Sequence, residues 1–135
     1  MIKEIIEGKD GGTLAIVTWG RLAGPGIDFV TPPEESLQVG LMLRERGYKV
    51  ARHEHSRKKR EIWSSGEFLY VIYGRVIVDV YDDDLNQTHI KPVHLLAGDS
   101  ITLLRGGHGL EMTEDTEIIE VKQGPYVGED NKVYF

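Results

Sequence analysis

Cysteine is absent from all 135 residues. That one absence removes disulfide frameworks, thiolate zinc sites and cysteine nucleophiles together, and it suits a reducing cytoplasm, the expected location. Long apolar runs are missing too. No stretch approaches the roughly 20 residues that a membrane span needs. Met1 to Asp10 sets Glu4 and Glu7 among its apolar residues, so it offers no signal-peptide core. A basic excess is also lacking. Lys and Arg number 16 against 22 Asp and Glu, a formal charge of −6, whereas nucleic-acid backbones are met by a basic face. Neither nucleic acid nor membrane is an expected partner. Amphipathic helical periodicity is scarce as well, and Pro33 to Ser36 supports one turn at most.

What remains is a chain punctuated by 16 glycines into short segments, the pattern of an all-β sandwich or barrel. A single domain over 1–135 is expected, long enough to bury its own core. Thr13 to Trp19 is rich in strand formers, and Arg21 to Pro33, with three prolines, reads as a loop. Leu37 to Arg44 alternates, with Leu37, Val39, Leu41 and Leu43 on one face. Gly47 opens a strand predicted to run to His55. Glu67 to Tyr73 and Arg75 to Tyr81 are strands broken at Gly74, the second alternating Val76, Val78 and Val80 with Arg75 and Asp79. Asp82 to Gln87 reads as a turn cluster, lacking the ligand ladder of a calcium loop. Thr88 to Leu96 tolerates Pro92 as a strand only at an edge or bulge. Ser100 to Leu104, His108 to Met112 and Thr116 to Lys122 complete the set.

Two features carry chemistry. In Arg52-His53-Glu54-His55, residues two apart on a strand project from one face, so His53 and His55 can converge on one ion. Glu67 begins an apolar strand, where a carboxylate is costly to bury without a partner; a metal ion is one such partner. Beside them lies Arg57-Lys58-Lys59-Arg60. It reads either as a solvated loop or as an anion clamp at the mouth of a pocket, with these four residues binding a phosphate or carboxylate substrate. His89 and His94 read as strand-surface residues.

Gly47, His53, His55, Glu67 and Gly74 match the first motif of the cupin superfamily, Gly-x5-His-x-His-x(3,4)-Glu-x6-Gly. Gly98, Gly106 and His108 match its second motif in part. Over residues 37–122 the chain therefore resembles a cupin. Three departures mark it. Eleven residues separate His55 from Glu67 and include Glu61, a rival carboxylate. Leu104 replaces the motif proline, with His108 one residue early, and Met112 stands at the terminal asparagine position. The resemblance implies a double-stranded β-helix, or jelly-roll barrel, holding one divalent transition metal through His53, His55, Glu67 and His108. Iron, manganese, nickel, cobalt, copper and zinc all suit such donors. It also implies a homodimer, in keeping with Phe68, Tyr70 and Ile72 on the strand face opposite Glu67. Val121 to Tyr126 is similar to small cupins of surface-polysaccharide and nucleotide-sugar metabolism. The expected function is a small metal-dependent enzyme acting on a polar or anionic metabolite such as a sugar derivative, of isomerase, epimerase or dioxygenase type. The alternative is a non-catalytic ligand-binding or regulatory module.

Overall fold

The computed structural model describes residues 1–22, 24–126, 128 and 132–135. Among them there is no helix, and hence none long and apolar enough to cross a membrane. Ten strands run in chain order: β1 Ile2–Glu7, β2 Thr13–Trp19, β3 Gly26–Phe29, β4 Gly40–Leu43, β5 Glu67–Tyr73, β6 Arg75–Tyr81, β7 His89–Leu96, β8 Ser100–Leu103, β9 Gly107–Met112 and β10 Glu117–Lys122. All pairings are antiparallel. They form a five-stranded sheet β1-β2-β8-β5-β10, a three-stranded sheet β7-β6-β9 and a hairpin β3-β4.

The two larger sheets share one core. Ala15, Val17, Leu69, Val71, Ile101 and Leu103 from the first meet Val76, Val78, Val80, Val93 and Leu95 from the second. Period-two alternation explains the contribution of β6, whose three valines are buried while its even-numbered partners' neighbours, Arg75, Ile77 and Asp79, are not. Strand β8 is buried at all four positions and β2 at its central five. Both lie inside the sheet and are covered on two faces, the second cover being a small cluster of Ile16, Val30 and Leu104 with Val39 and Leu41. Pro92 sits on β7, an edge strand, where its missing N–H breaks no ladder.

Gly74 joins β5 to β6 with φ +87°, and a Cβ there would strike the Asp115 carbonyl and Thr116. At the next turn Asp82 is buried and accepts the backbone N–H of Lys9 at 2.8 Å, while Lys9 Nζ donates to Asp84 at 2.7 Å. The acidic run is thus a turn that ties β1 and β6 together.

Several expectations are corrected. The prolines at 25, 32 and 33 flank a strand, β3, instead of excluding one, because Ile27 and Phe29 find partners in Met42 and Gly40. The alternating run from 37 to 44 pairs only over Gly40–Leu43. Strand β1 escapes the pattern because Ile2, Ile5 and Ile6 do not alternate. Most consequential, residues 44–66 contain no strand, so the segment from Gly47 to His55 has no ladder. Tyr48 and Val50, its apolar residues, are 58% and 57% exposed; the Arg44 guanidinium lies 4.7 Å from the Tyr48 ring centre, but neither side chain is buried, so burial does not favour the extended form. The sheets form a sandwich, and no closed barrel is found among the described residues.

Candidate functional site

Glu67 is the first residue of β5. It shares the core-facing side of its sheet with Leu103 of β8 and with Lys122 of β10, its direct cross-strand neighbours. His108 comes from the other sheet, opposite Val80. Because the sheets face each other, the two side chains meet at one end of the sandwich. His108 Nε2 lies 3.1 Å from Glu67 Oε2, with the side chains 29% and 15% exposed. The hydrogen bond from His108 holds the Glu67 carboxyl below its ordinary range. Desolvation opposes this, while the charges of His108, Lys122 and Lys132 reinforce it.

Around the pair opens a cleft of about 740 Å³, walled by Trp63, Arg105, Lys122, Lys132, Tyr134 and Phe135. Gly107 makes room for one wall: a Cβ there would lie 2.6 Å from the Phe135 ring, which packs edge-on against Tyr81 at 5.2 Å. Arg105 is committed to Asp10 and Asp83, both at 2.5 Å. Lys122 contacts Glu120 at 3.9 Å, too long for a hydrogen bond. The cleft therefore offers one carboxylate, one imidazole and lysine ammonium groups beside an aromatic wall. It can hold an anion and pass a proton through the Glu67–His108 pair.

The expected residues divide. Glu67 and His108 are together. His53 and His55 lie exposed in the irregular 44–66 segment, His53 Nδ1 bonded to the Ala51 carbonyl at 2.8 Å and the two rings 5.3 Å apart. Among the described residues no group of three or more His, Cys, Asp or Glu is placed to hold a metal ion. As arranged, the donors do not fit a resident metal. Leu110 and Met112 share the His108 side of β9, opposite Val78 and Val76, yet are 42% and 48% exposed. Arg57, Lys58, Lys59 and Arg60 are exposed and do not line the cleft; Lys59 pairs with Glu61 at 3.0 Å. His89 is a surface residue bonded to Asp79 at 2.8 Å.

Sequence reasoning missed Lys122, Lys132, Tyr134 and Phe135. The position of Lys122 follows only from the β5–β10 register, which local alternation does not encode. No periodicity marks the last four residues. Comparison with protein-family models, with curated proteins and with solved structures returns no match.

Proposed function

We propose that this sandwich binds a polar, anionic metabolite, a sugar derivative being the favoured kind, in the cleft around Glu67 and His108. The observation that carries the reading is the meeting of these two residues, from different strands and different sheets, in a cleft of ligand-binding size. The reading extends to a cupin-type jelly roll that completes itself. Among the described residues the outer edge of β9 has no strand partner, and the segment 48–55 alternates without one. Addition of that segment to the edge would bring His53 and His55 toward His108, giving a divalent metal four donors. Metal analysis of protein purified without chelator, followed by reconstitution with iron, manganese, nickel, cobalt, copper and zinc, tests this. One equivalent of metal per chain, lost in Glu67→Gln and His53→Ala, is expected. No binding by reconstituted protein would end the metal proposal.

A non-catalytic binding module is the second reading. It is favoured by Leu110 and Met112, which leave the His108 face without a further proton-transfer group. Turnover assays with sugar nucleotides and keto acids separate the two. Stoichiometric binding without turnover would leave the module.

We also propose a second copy of this chain as the partner of the outer side of the five-stranded sheet. Tyr70, Ile72, Ile119 and Val121 are exposed there by 37%, 42%, 48% and 49%. The chain exposes 9755 Å², whereas a compact 15.2 kDa monomer exposes about 7,100 Å². The irregular segment 45–65, exposed throughout, contributes to that difference together with the outer sheet face.

A further inference from the structure

The sequence places its strongest cationic run at Arg57 to Arg60, but the cleft takes its cations from elsewhere. Lys122 ends β10 on the same side of the sheet as Glu67 and directly beside it in register. Lys132 stands in the terminal segment that closes the opposite wall. Both act on the Glu67 carboxylate through their charge, although the hydrogen-bond partner of Glu67 is His108. Arg105, the third cation of the cleft, is already neutralised by Asp10 and Asp83. Among the described lining residues Glu67 is the one acidic side chain. Two ammonium groups therefore face a space in which the one acidic side chain among the described residues already has an imidazole partner.

We propose that Lys122 and Lys132 are the anion-recognition residues of this cleft, gripping the phosphate or carboxylate of a small ligand whose uncharged body lies against Tyr134 and Phe135. The inference rests on reading the cleft as the ligand site, and it moves the anion contact away from Arg57, Lys58, Lys59 and Arg60. Lysine suits the task as a compact point charge on a flexible stem. The partial shielding of Lys122, 24% exposed, makes its attraction stronger than that of a free surface lysine. The aromatic wall is held by the Phe135–Tyr81 contact, so a flat or ring-shaped body meets a fixed surface.

The test is a titration of chelator-treated, full-length protein with inorganic phosphate, glucose 1-phosphate and glucose, followed by amide NMR shifts. Glucose 1-phosphate should bind most tightly, moving the amides of Gly107 and His108. Lys122→Gln and Lys132→Gln should each weaken it by roughly tenfold or more, as expected for loss of a hydrogen bond to a charged group. The combined change R57Q, K58Q, K59Q and R60Q should leave the affinity unchanged. Retention of the wild-type amide spectrum elsewhere confirms that each variant folds, and Lys132→Gln, outside every strand, guards against damage to β10. Three results would overturn the inference: equal binding of glucose and glucose 1-phosphate, loss of binding in the four-residue loop variant but not in Lys122→Gln, or no saturable binding of any probe. Metal content of the same wild-type protein reports separately. Metal uptake without anion binding sinks this inference alone, and anion binding without metal uptake sinks the metal proposal alone.

Discussion

Replacing Ile119 with glutamate should separate the proposed dimer into monomers without unfolding either half. Ile119 lies on the outer side of β10, opposite Tyr70, and Val121 lies opposite Phe68, so the edge of the five-stranded sheet carries an apolar ladder. Full burial of such a side chain is worth about 1.5–3 kcal/mol. Since Tyr70, Ile72, Ile119 and Val121 are each a little under half exposed, covering them contributes about 3–6 kcal/mol per protomer. A symmetric pair gains about twice that, against an association cost of ~4–15 kcal/mol. The ladder alone therefore leaves a marginal dimer. The neighbouring hairpin, with Phe29 at 54% and Met42 at 55% exposure, offers further apolar surface to the proposed interface.

Twofold symmetry places the substituted residue in the interface twice. Each glutamate loses about 1 kcal/mol of apolar burial and adds a carboxylate that must be desolvated at a similar cost or more. The sum is about 4 kcal/mol, or roughly a thousandfold in Kd. The monomer should barely notice, because an exposed position away from the core changes stability by about 0.5 kcal/mol at most. Sedimentation velocity over the micromolar range is the assay. Wild-type protein should sediment at twice 15.2 kDa and Ile119→Glu at the monomer mass, with equal melting of the dissociated chains. A wild-type monomer at the highest concentration, or a variant as dimeric as the parent, would refute the reasoning.

Glu67→Gln should lower stability by about 1 kcal/mol near neutral pH, since it removes the charge from a hydrogen bond to His108. The folded-state pKa of Glu67 is depressed, so this contribution is present above the ordinary value of 4.5 and disappears as pH falls through the folded value. Melts of the two proteins should converge on acidification, and a constant difference would contradict the assignment. Leu95→Ala, at a site with 0% exposure inside the shared core, should cost about 3 kcal/mol and roughly 10 °C in Tm; a change of a degree or two in calorimetry would mean that the sheets do not pack as described. Gly74→Ala should cost more than Gly98→Ala by chemical denaturation. Both have positive φ, but only at Gly74 does a Cβ also strike the Asp115 carbonyl and Thr116, and equal losses would count against the turn geometry.

Where short-range alternation meets a neighbouring ladder, the fold is legible in the sequence. Strands β5 and β6 begin and end where Gly74 and the valine alternation place them, and β7 tolerates Pro92 by lying at an edge. Legibility fails where pairing overrides local signals. Strand β3 forms between prolines because β4 offers it a partner, and β1 forms without alternation because β2 pairs with all six of its residues. The candidate site divides along the same line. Glu67 and His108 are fixed by strands with ladders, β5 between β8 and β10 and β9 against β6. Lys122 joins them through a register that connects distant segments, and no local pattern reports such a connection.

The histidine pair marks the limit of spacing as an argument. Two residues apart on a strand share a face, but the inference needs a strand, and a strand needs a ladder. Between Arg44 and Gly66 the chain has eight Lys or Arg against three Glu, so the segment repels itself and gains little by collapsing. Its apolar residues, Tyr48, Val50, Ile62 and Trp63, are all left exposed, Trp63 by 97%, so none anchors the segment to the core. On the other side, β9 presents an edge next to His108 that is unpaired among the described residues, and exposed N–H and C=O groups on such an edge favour an added strand. Convergence of His53 and His55 on Glu67 and His108 is therefore a question of whether β9 captures residues 48–55. The histidine spacing sets what that capture would bring, and the open edge sets whether it occurs.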